Sequence, residues 1–148
     1  MGNSSDIDIS IAALCEAWRL FRRGKRASRH IVEFEYNLEK ELMCLAYEIA
    51  QGAYRHSSYE KFVVNDNKRR LIAVAAVRDR VVHRLLYEYL VQRYDKMFVY
   101  DAWSCRPRKG IDGAISRVQQ HMRAYRDGWL WRSDIRKFFD HVDHEVLL

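Results

Sequence analysis

The spacing of apolar residues changes along this 148-residue chain, and the change constrains its fold more than any other feature. Up to Gly52, apolar residues recur every three or four positions, as on one face of an α-helix. From Tyr59 the spacing becomes two over residues 59–64 and 70–74, and the turn-rich residues 65–68 separate these two runs. Alternation on both sides of a turn predicts a β-hairpin. The helical spacing then returns, so the sequence predicts an α+β chain.

Four helices are predicted, and glycine follows three of them at Gly24, Gly52 and Gly128, as is common after a helix. The predicted helices cover residues 6–23, 29–51, 77–94 and 111–126. A strand is predicted over residues 129–135, and Asp143 is expected to cap a last, short helix. This strand has no sequential partner. We therefore expect an unpaired edge, poorly covered side chains at Trp129, Leu130 and Trp131, and association of the chain through this strand.

The charge balance indicates a polyanionic partner. Lys and Arg number 26 against 20 Asp and Glu, the net charge is +6 and the pI is about 9.3. The basic residues occur in clusters with aromatic residues nearby, which suits phosphate neutralisation combined with base stacking. A merely solvated basic surface is the alternative. No apolar run reaches the roughly 18 residues of a membrane span, and three separated cysteines without a CxxC pair favour reduced thiols in a cytoplasm.

Asp134 follows an apolar run and precedes the basic pair Arg136 and Lys137. A carboxylate at the end of a strand can hold magnesium, with the carbonyl of Ile135 as a further oxygen ligand, while the next backbone amides receive a triphosphate. The simpler interpretation is that Asp134 begins a turn. A zinc site among Asp140, His141, Asp143 and His144 is a further alternative, although such spacing is common near helix starts.

Three blocks of the sequence resemble motifs of reverse transcriptases and occur in the same order. The blocks are Lys68–His83 with its Arg70 and Asp79-Arg-Val-Val, Asp101–Ala114 with its Ser-x-Arg-type element before Gly110, and Ser133–His144. The nearest kinds are the bacterial retroelement enzymes of group II introns, retrons and diversity-generating elements. The resemblance implies the fingers and the start of the palm of a right-hand polymerase. Residues 1–58 would be an N-terminal helical extension, and residues 59–148 an incomplete reverse transcriptase domain.

The resemblance also implies roles for single residues. Asp134 would be the first catalytic, metal-binding aspartate, with Ile135 beside it, and Phe139 the aromatic gate that rejects a ribose 2′-hydroxyl. The residues that would contact the incoming nucleotide are Arg70, assisted by Lys68, and the backbone of Arg136, Lys137 and Phe138. Those that would follow the template–primer backbone are Arg106, Arg108 and Lys109. Asp79, between two arginines, is instead expected to be a structural ion-pair centre.

The complete enzyme implied by this resemblance copies an RNA template by adding deoxynucleotides from their triphosphates to the 3′ end of a DNA or RNA primer, using two Mg²⁺ ions. The family's Tyr-x-Asp-Asp motif is absent from these 148 residues. Leu71 and Ala75 stand where the family often has proline, and Trp103 and Cys105 also depart from its pattern. We expect the chain alone not to polymerise. A non-catalytic RNA-binding module that reuses the finger fold, and a defence or interaction protein derived from such an enzyme, are the alternatives.

Overall fold

The computed structural model describes residues 6–66 and 68–147, and the chain forms two compact units, Met1–Phe98 and Val99–Leu148. The first unit contains helices α1 (Ile11–Arg22), α2 (Arg29–Tyr36), α3 (Leu38–Ala50) and α4 (Val77–Tyr94), and the strands β1 (Glu60–Asn65) and β2 (Arg69–Val74). The second contains α5 (Ile111–Ala124) and α6 (His144–Leu147). Short 3₁₀ segments cover Asp95–Met97 and Phe138–His141. The predicted α+β class is confirmed.

The first helix begins later than predicted because a serine caps it. The Ser10 hydroxyl accepts a hydrogen bond from the Ala13 amide at 3.2 Å, while the Ser10 backbone is extended. Such a cap satisfies one of the amides that a first helical turn leaves without a partner. The helix therefore starts at Ile11 rather than at residue 6. It ends before Gly24, whose φ of +71° is a backbone conformation that glycine adopts without strain.

The predicted helix over residues 29–51 is two helices that meet at Asn37. The Asn37 side chain donates a hydrogen bond to the Glu33 carbonyl at 3.1 Å. The backbone amide of Asn37 donates to the carbonyls of both Glu33 and Phe34. Asparagine side chains compete with the helical hydrogen-bond pattern in this way. The apolar spacing continues across the break, so periodicity alone did not reveal it. Ser28 caps α2 through the Ile31 amide, at 3.4 Å.

The hairpin forms as predicted, with β1 antiparallel to β2 in a register that pairs Val64 with Arg70 and Phe62 with Ile72. Its turn includes Asp66 and Lys68, and Asn67 of the predicted turn lies outside the described residues. All of β1 is exposed, whereas Ile72 and Val74 of β2 are half-buried. The hairpin therefore contributes little to the core and presents its basic second strand to solvent.

The core of the first unit is made by four helices, and α1 packs mainly on α4. Leu14, Leu42, Leu45 and Val81 are fully or almost fully buried, and burying a side chain of this size contributes about 2 kcal/mol. Trp18 and Phe21 of α1 belong to the same core. The apolar face of α4 is narrow, because Leu86 and Leu90 are exposed. This core joins residues on both sides of the predicted boundary at residue 58, and that functional division stays a prediction.

Asp79 is completely buried and fixes the segment before the hairpin against α4. Its carboxylate accepts hydrogen bonds from the Tyr54 hydroxyl at 2.7 Å and from the Ser57 amide at 3.1 Å, and His56 Nδ1 lies 3.9 Å away. The predicted structural role is confirmed, but the predicted arginine partners are wrong. Arg78 instead pairs with Glu48 of α3. The side chains of Arg78 and Arg80 do not pair with Asp79, because adjacent residues of a helix lie on different faces.

The second unit has no sheet among its described residues, so the predicted strand over residues 129–135 is wrong. The backbone there has no regular structure. A strand without a neighbour leaves its amides and carbonyls unpaired and is not stable by itself. The poor covering expected at Trp129, Leu130 and Trp131 is confirmed, since each is at least 72% exposed. Association through this segment stays a prediction.

The apolar face of α5 is also exposed along its length, at Ile111, Ile115, Val118, Met122 and Tyr125. At the chain's end, Asp143 caps α6 as predicted: its Oδ1 accepts from the Glu145 amide at 2.9 Å and the Val146 amide at 3.3 Å. Within residues 6–66 and 68–147, no helix combines the length and the apolar character that crossing a membrane requires.

Replacing Tyr54 by phenylalanine removes a hydrogen-bond donor from the buried Asp79 carboxylate. Because a buried charge that loses a partner is destabilised, we expect Tyr54→Phe to lower the free energy of unfolding by about 2 kcal/mol. Urea titration followed by far-UV circular dichroism measures this change. Tyr36→Phe is the matched control, since Tyr36 is 89% exposed. Equal stability of the two variants would contradict the assigned role.

The same pair predicts a dependence on alkaline pH. Burial, and then the hydrogen bond to Asp79, raise the pKa of Tyr54 well above its usual value of 10.0. The folded protein thus holds this proton more tightly than the unfolded chain, so the associated stability is complete below about pH 10 and is lost as the pH rises further. We expect the stability difference between wild type and Tyr54→Phe to shrink between pH 9 and pH 11. A difference that stays constant over this range would be the opposite result.

Candidate functional site

The segment Asp134–Phe139 collects the predicted catalytic and nucleotide-contacting residues of the second unit. Asp134 is exposed, Ile135 is 70% exposed and Phe139 is 86% exposed. The rings of Phe138 and Phe139 meet edge to face, with centroids 5.3 Å apart. A carboxylate and an aromatic face are therefore both open to solvent within one short segment, on either side of a tight turn.

The turn is made by Arg136 and Lys137. Lys137 has a φ of +51°, a left-handed conformation that is uncommon for residues other than glycine. The Asp140 amide donates to the Lys137 carbonyl at 3.1 Å, which starts the 3₁₀ segment, and Lys137 Nζ lies 3.9 Å from the Asp140 carboxylate. No described hydrogen bond uses the backbone amides of Arg136 and Lys137. These amides are free to meet an anionic group.

The oxygen atoms at Asp134 and Ile135 are of the kind that binds magnesium, but they are fewer than a pair of magnesium ions needs. The Asp134 carboxylate and the adjacent Ile135 carbonyl are the hard oxygen ligands that Mg²⁺ prefers. A pair of ions needs several carboxylates that bridge them. Across the part of the chain that the structure describes, no group of three or more His, Cys, Asp or Glu side chains converges as a metal site. The described residues therefore supply at most the first part of such a ligand set.

Lys68 and Arg70 lie at the turn end of the hairpin. Arg70 belongs to β2, pairs in register with Val64, and is exposed, as is Lys68. A two-stranded ribbon holds Arg70 near the turn while leaving its guanidinium accessible. The hairpin lies in the first unit and Asp134 in the second.

The predicted nucleic-acid-binding residues of loop 99–110 divide into two kinds. Arg106 donates hydrogen bonds through Nη1 to the carbonyls of Val99 at 3.0 Å and Ala102 at 3.3 Å. Lys109 donates to the Tyr100 carbonyl, and its ammonium lies 4.1 Å from the centroid of the Tyr100 ring and 4.5 Å from that of Trp103. Both side chains thus organise the loop itself. Arg108 is exposed and remains available to a ligand.

Two further contacts fix this loop on α5. Asp101 accepts from Arg117 Nε at 2.9 Å, and the Arg117 guanidinium is the main reason that the pKa of Asp101 is lowered. The Trp103 ring packs directly on Gly113, where a Cβ atom would lie 2.6 Å from a ring carbon. Only glycine allows this close approach without a shift of the ring. Sequence patterns gave no signal for either contact, since neither depends on local spacing.

Comparison with known proteins gives one weak similarity. No family model matches the sequence. Protein YkfC of Escherichia coli (strain K12) is 25% identical over 146 residues, which cover 91% of this chain and 38% of YkfC. The chain thus spans well under half the length of that relative. Identity at this level does not assign the chain to a family.

The two kinds of loop residue predict different effects of substitution. Arg106→Gln removes a charged donor from two carbonyls, so we expect faster local opening of residues 99–110, by roughly tenfold for a loss of about 1.4 kcal/mol. Arg108→Gln, with the same loss of charge, is expected to leave the loop unchanged. Hydrogen–deuterium exchange of loop peptides measures both. Equal protection in the two variants would show that Arg106 does not hold the loop.

Proposed function

We propose that this chain is the fingers and the opening part of the palm of an RNA-directed DNA polymerase. The observation that carries the proposal is the Asp134–Phe139 segment, which places an exposed carboxylate, a tight turn with two free amides and an exposed aromatic ring in sequence. This order of chemical groups suits a nucleoside triphosphate: a metal-binding oxygen, donors for phosphate oxygens and an apolar surface for a sugar. The resemblance of the three sequence blocks to reverse transcriptases supports the same conclusion.

Each group has a defined task in the proposed reaction, in which the primer 3′ oxygen bonds to the α-phosphorus and pyrophosphate leaves. By the resemblance, Arg70 of the first unit is expected to bind triphosphate oxygens through its planar fork. Within the second unit, the amides of Arg136 and Lys137 would donate to phosphate oxygens, and Phe139 would lie under the sugar, where it excludes a 2′-hydroxyl. When bound, magnesium ions would activate the primer hydroxyl and neutralise the leaving group. Asp134 and Ile135 would hold them.

The proposed reaction needs further carboxylates to bridge two magnesium ions. Among residues 6–66 and 68–147, no group of three or more His, Cys, Asp or Glu side chains converges to supply them. The limited share of YkfC that the chain spans, 38%, is compatible with a longer protein. In the absence of such residues, the function that remains is RNA binding without catalysis, and the basic first unit favours that alternative.

Asp134→Asn tests the polymerase proposal in the polypeptide that contains this chain together with the residues that complete the palm. We expect primer extension on an RNA template to fall by roughly 10³-fold, because the substitution replaces a charged carboxylate ligand of magnesium by a neutral amide, while RNA affinity is unchanged. Extension assays and RNA titrations in the same buffer measure the two effects.

Asp127→Asn is the matched control, because Asp127 is an exposed aspartate in the turn after α5. It is expected to keep full extension. If wild-type protein binds RNA but extends no primer, or if Asp134→Asn extends as well as wild type, the polymerase proposal is wrong. The first of these results would support the non-catalytic RNA-binding module.

A further inference from the structure

Three cations converge where the end of α1 meets α4. Lys25 Nζ lies 4.2 Å from the centroid of the Phe21 ring, and the Arg80 guanidinium lies 5.2 Å from the same centroid. Arg84 follows Arg80 by one helical turn on α4. We call Lys25, Arg80 and Arg84 the α1–α4 cation cluster. Phe21 is 94% buried by its neighbours, being 6% exposed, so it gives the cluster a rigid base.

The described carboxylates near the cluster pair with Arg84 and with two neighbouring arginines, and not with Lys25 or Arg80. On α1, Arg19 pairs with Glu16 at 2.6 Å and Arg22 with Glu35 at 3.5 Å. Within the cluster itself, Arg84 pairs with Glu88. Lys25 and Arg80 have no carboxylate partner among the described residues. The Lys25 ammonium donates to the Phe21 carbonyl, which carries no net charge.

Arg80 is also incompletely hydrogen-bonded. Its Nε is buried and has no hydrogen-bond partner among residues 6–66 and 68–147. A buried donor without a partner costs about 1–3 kcal/mol, and contact of the guanidinium with the Phe21 ring offsets part of this cost. Lys25, by contrast, is exposed. The cluster therefore contacts the core through the Phe21 ring, while Lys25 is exposed to solvent.

The neighbouring positive charges affect the pKa of Lys25. Partial burial, and then the charges of Arg80 and Arg84, lower the pKa of its ammonium. Like charges at such distances repel each other. A dianionic or monoanionic oxygen ligand placed between them would replace this repulsion by attraction.

We propose that the α1–α4 cation cluster binds a phosphate group of the RNA backbone, with Lys25 and Arg80 as its two ligands. The inference rests on the proposed function for the identity of the nucleic acid. Arg80 contributes a planar fork and Lys25 a point charge, and both kinds of contact suit phosphodiester oxygens. The net charge of +6 favours a polyanion over a single acidic side chain. Lys25 lies just after α1 and Arg80 on α4, apart from the residues that the sequence predicted to contact nucleic acid.

The test uses the 148-residue chain and a fluorescent 20-nucleotide single-stranded RNA, with affinity measured by anisotropy over a range of salt concentrations. Lys25→Gln/Arg80→Gln is expected to weaken binding about tenfold at low salt. It is also expected to reduce the slope of log K against log salt by about 0.7, the contribution of one phosphate contact to a single strand. Lys40→Gln/Arg93→Gln is the control: it removes the same residue types from exposed positions of α3 and α4.

Each outcome decides the proposal. Loss of affinity and slope in the cluster variant alone supports it. Equal losses in the two double variants would mean that charge is spread over the surface, and would overturn it. Competition by inorganic phosphate or polyglutamate as effective as competition by RNA would also overturn it, because the ligand would then be any anion. Lys25→Gln alone, at an exposed position, keeps the test valid if Arg80→Gln reduces folding, which circular dichroism monitors.

The assay needs no catalysis, so its failure is distinguishable from failure of the polymerase proposal. If Asp134→Asn leaves extension unchanged while the cluster variant loses RNA affinity, the phosphate site stands and the polymerase proposal does not. If wild type binds RNA and the cluster variant binds it equally well, only the phosphate site is excluded.

Discussion

The buried carboxylate of Asp79 fixes the start of the hairpin to helix α4 of the core. It belongs to α4, whose other faces supply Val81 to the core and Arg80 to the cation cluster, and its partners Tyr54 and Ser57 belong to the segment that leads into the hairpin. Burying an ionised group is unfavourable unless hydrogen bonds replace its hydration. Because those bonds come from residues just before β1, the start of the hairpin is tied to the helical core.

The two units differ in how completely they bury their apolar residues. The first has a continuous core of twelve buried side chains from four helices. In the second, the contacts of Asp101, Arg117 and Trp103 fix a loop on α5, but no residue of α5 is buried. An extensive apolar surface of this kind is characteristic of an interaction face. The proposed catalytic residues lie in the unit that buries fewer of its apolar side chains.

Sequence patterns predicted those features that depend on neighbouring residues. The hairpin, the glycine after α1 and the Asp143 cap all have signals within a few positions, and the structure contains each of them. The break at Asn37 was missed because an apolar stripe continues through it. The strand over residues 129–135 was wrong because a strand depends on a partner that apolar residues do not specify. Pairing of Asp79 with Tyr54, and of Phe21 with Arg80, depends on packing between distant segments, which a single sequence does not encode in any local pattern.

The left-handed backbone at Lys137 has a consequence for how the turn before Phe139 tolerates change. A side chain in this conformation costs about 1 kcal/mol relative to glycine, and β-branched residues fit it worst. Asparagine adopts it readily while carrying no charge. The shape of this turn and its positive charge are therefore separable properties, since asparagine at position 137 would keep the first and remove the second.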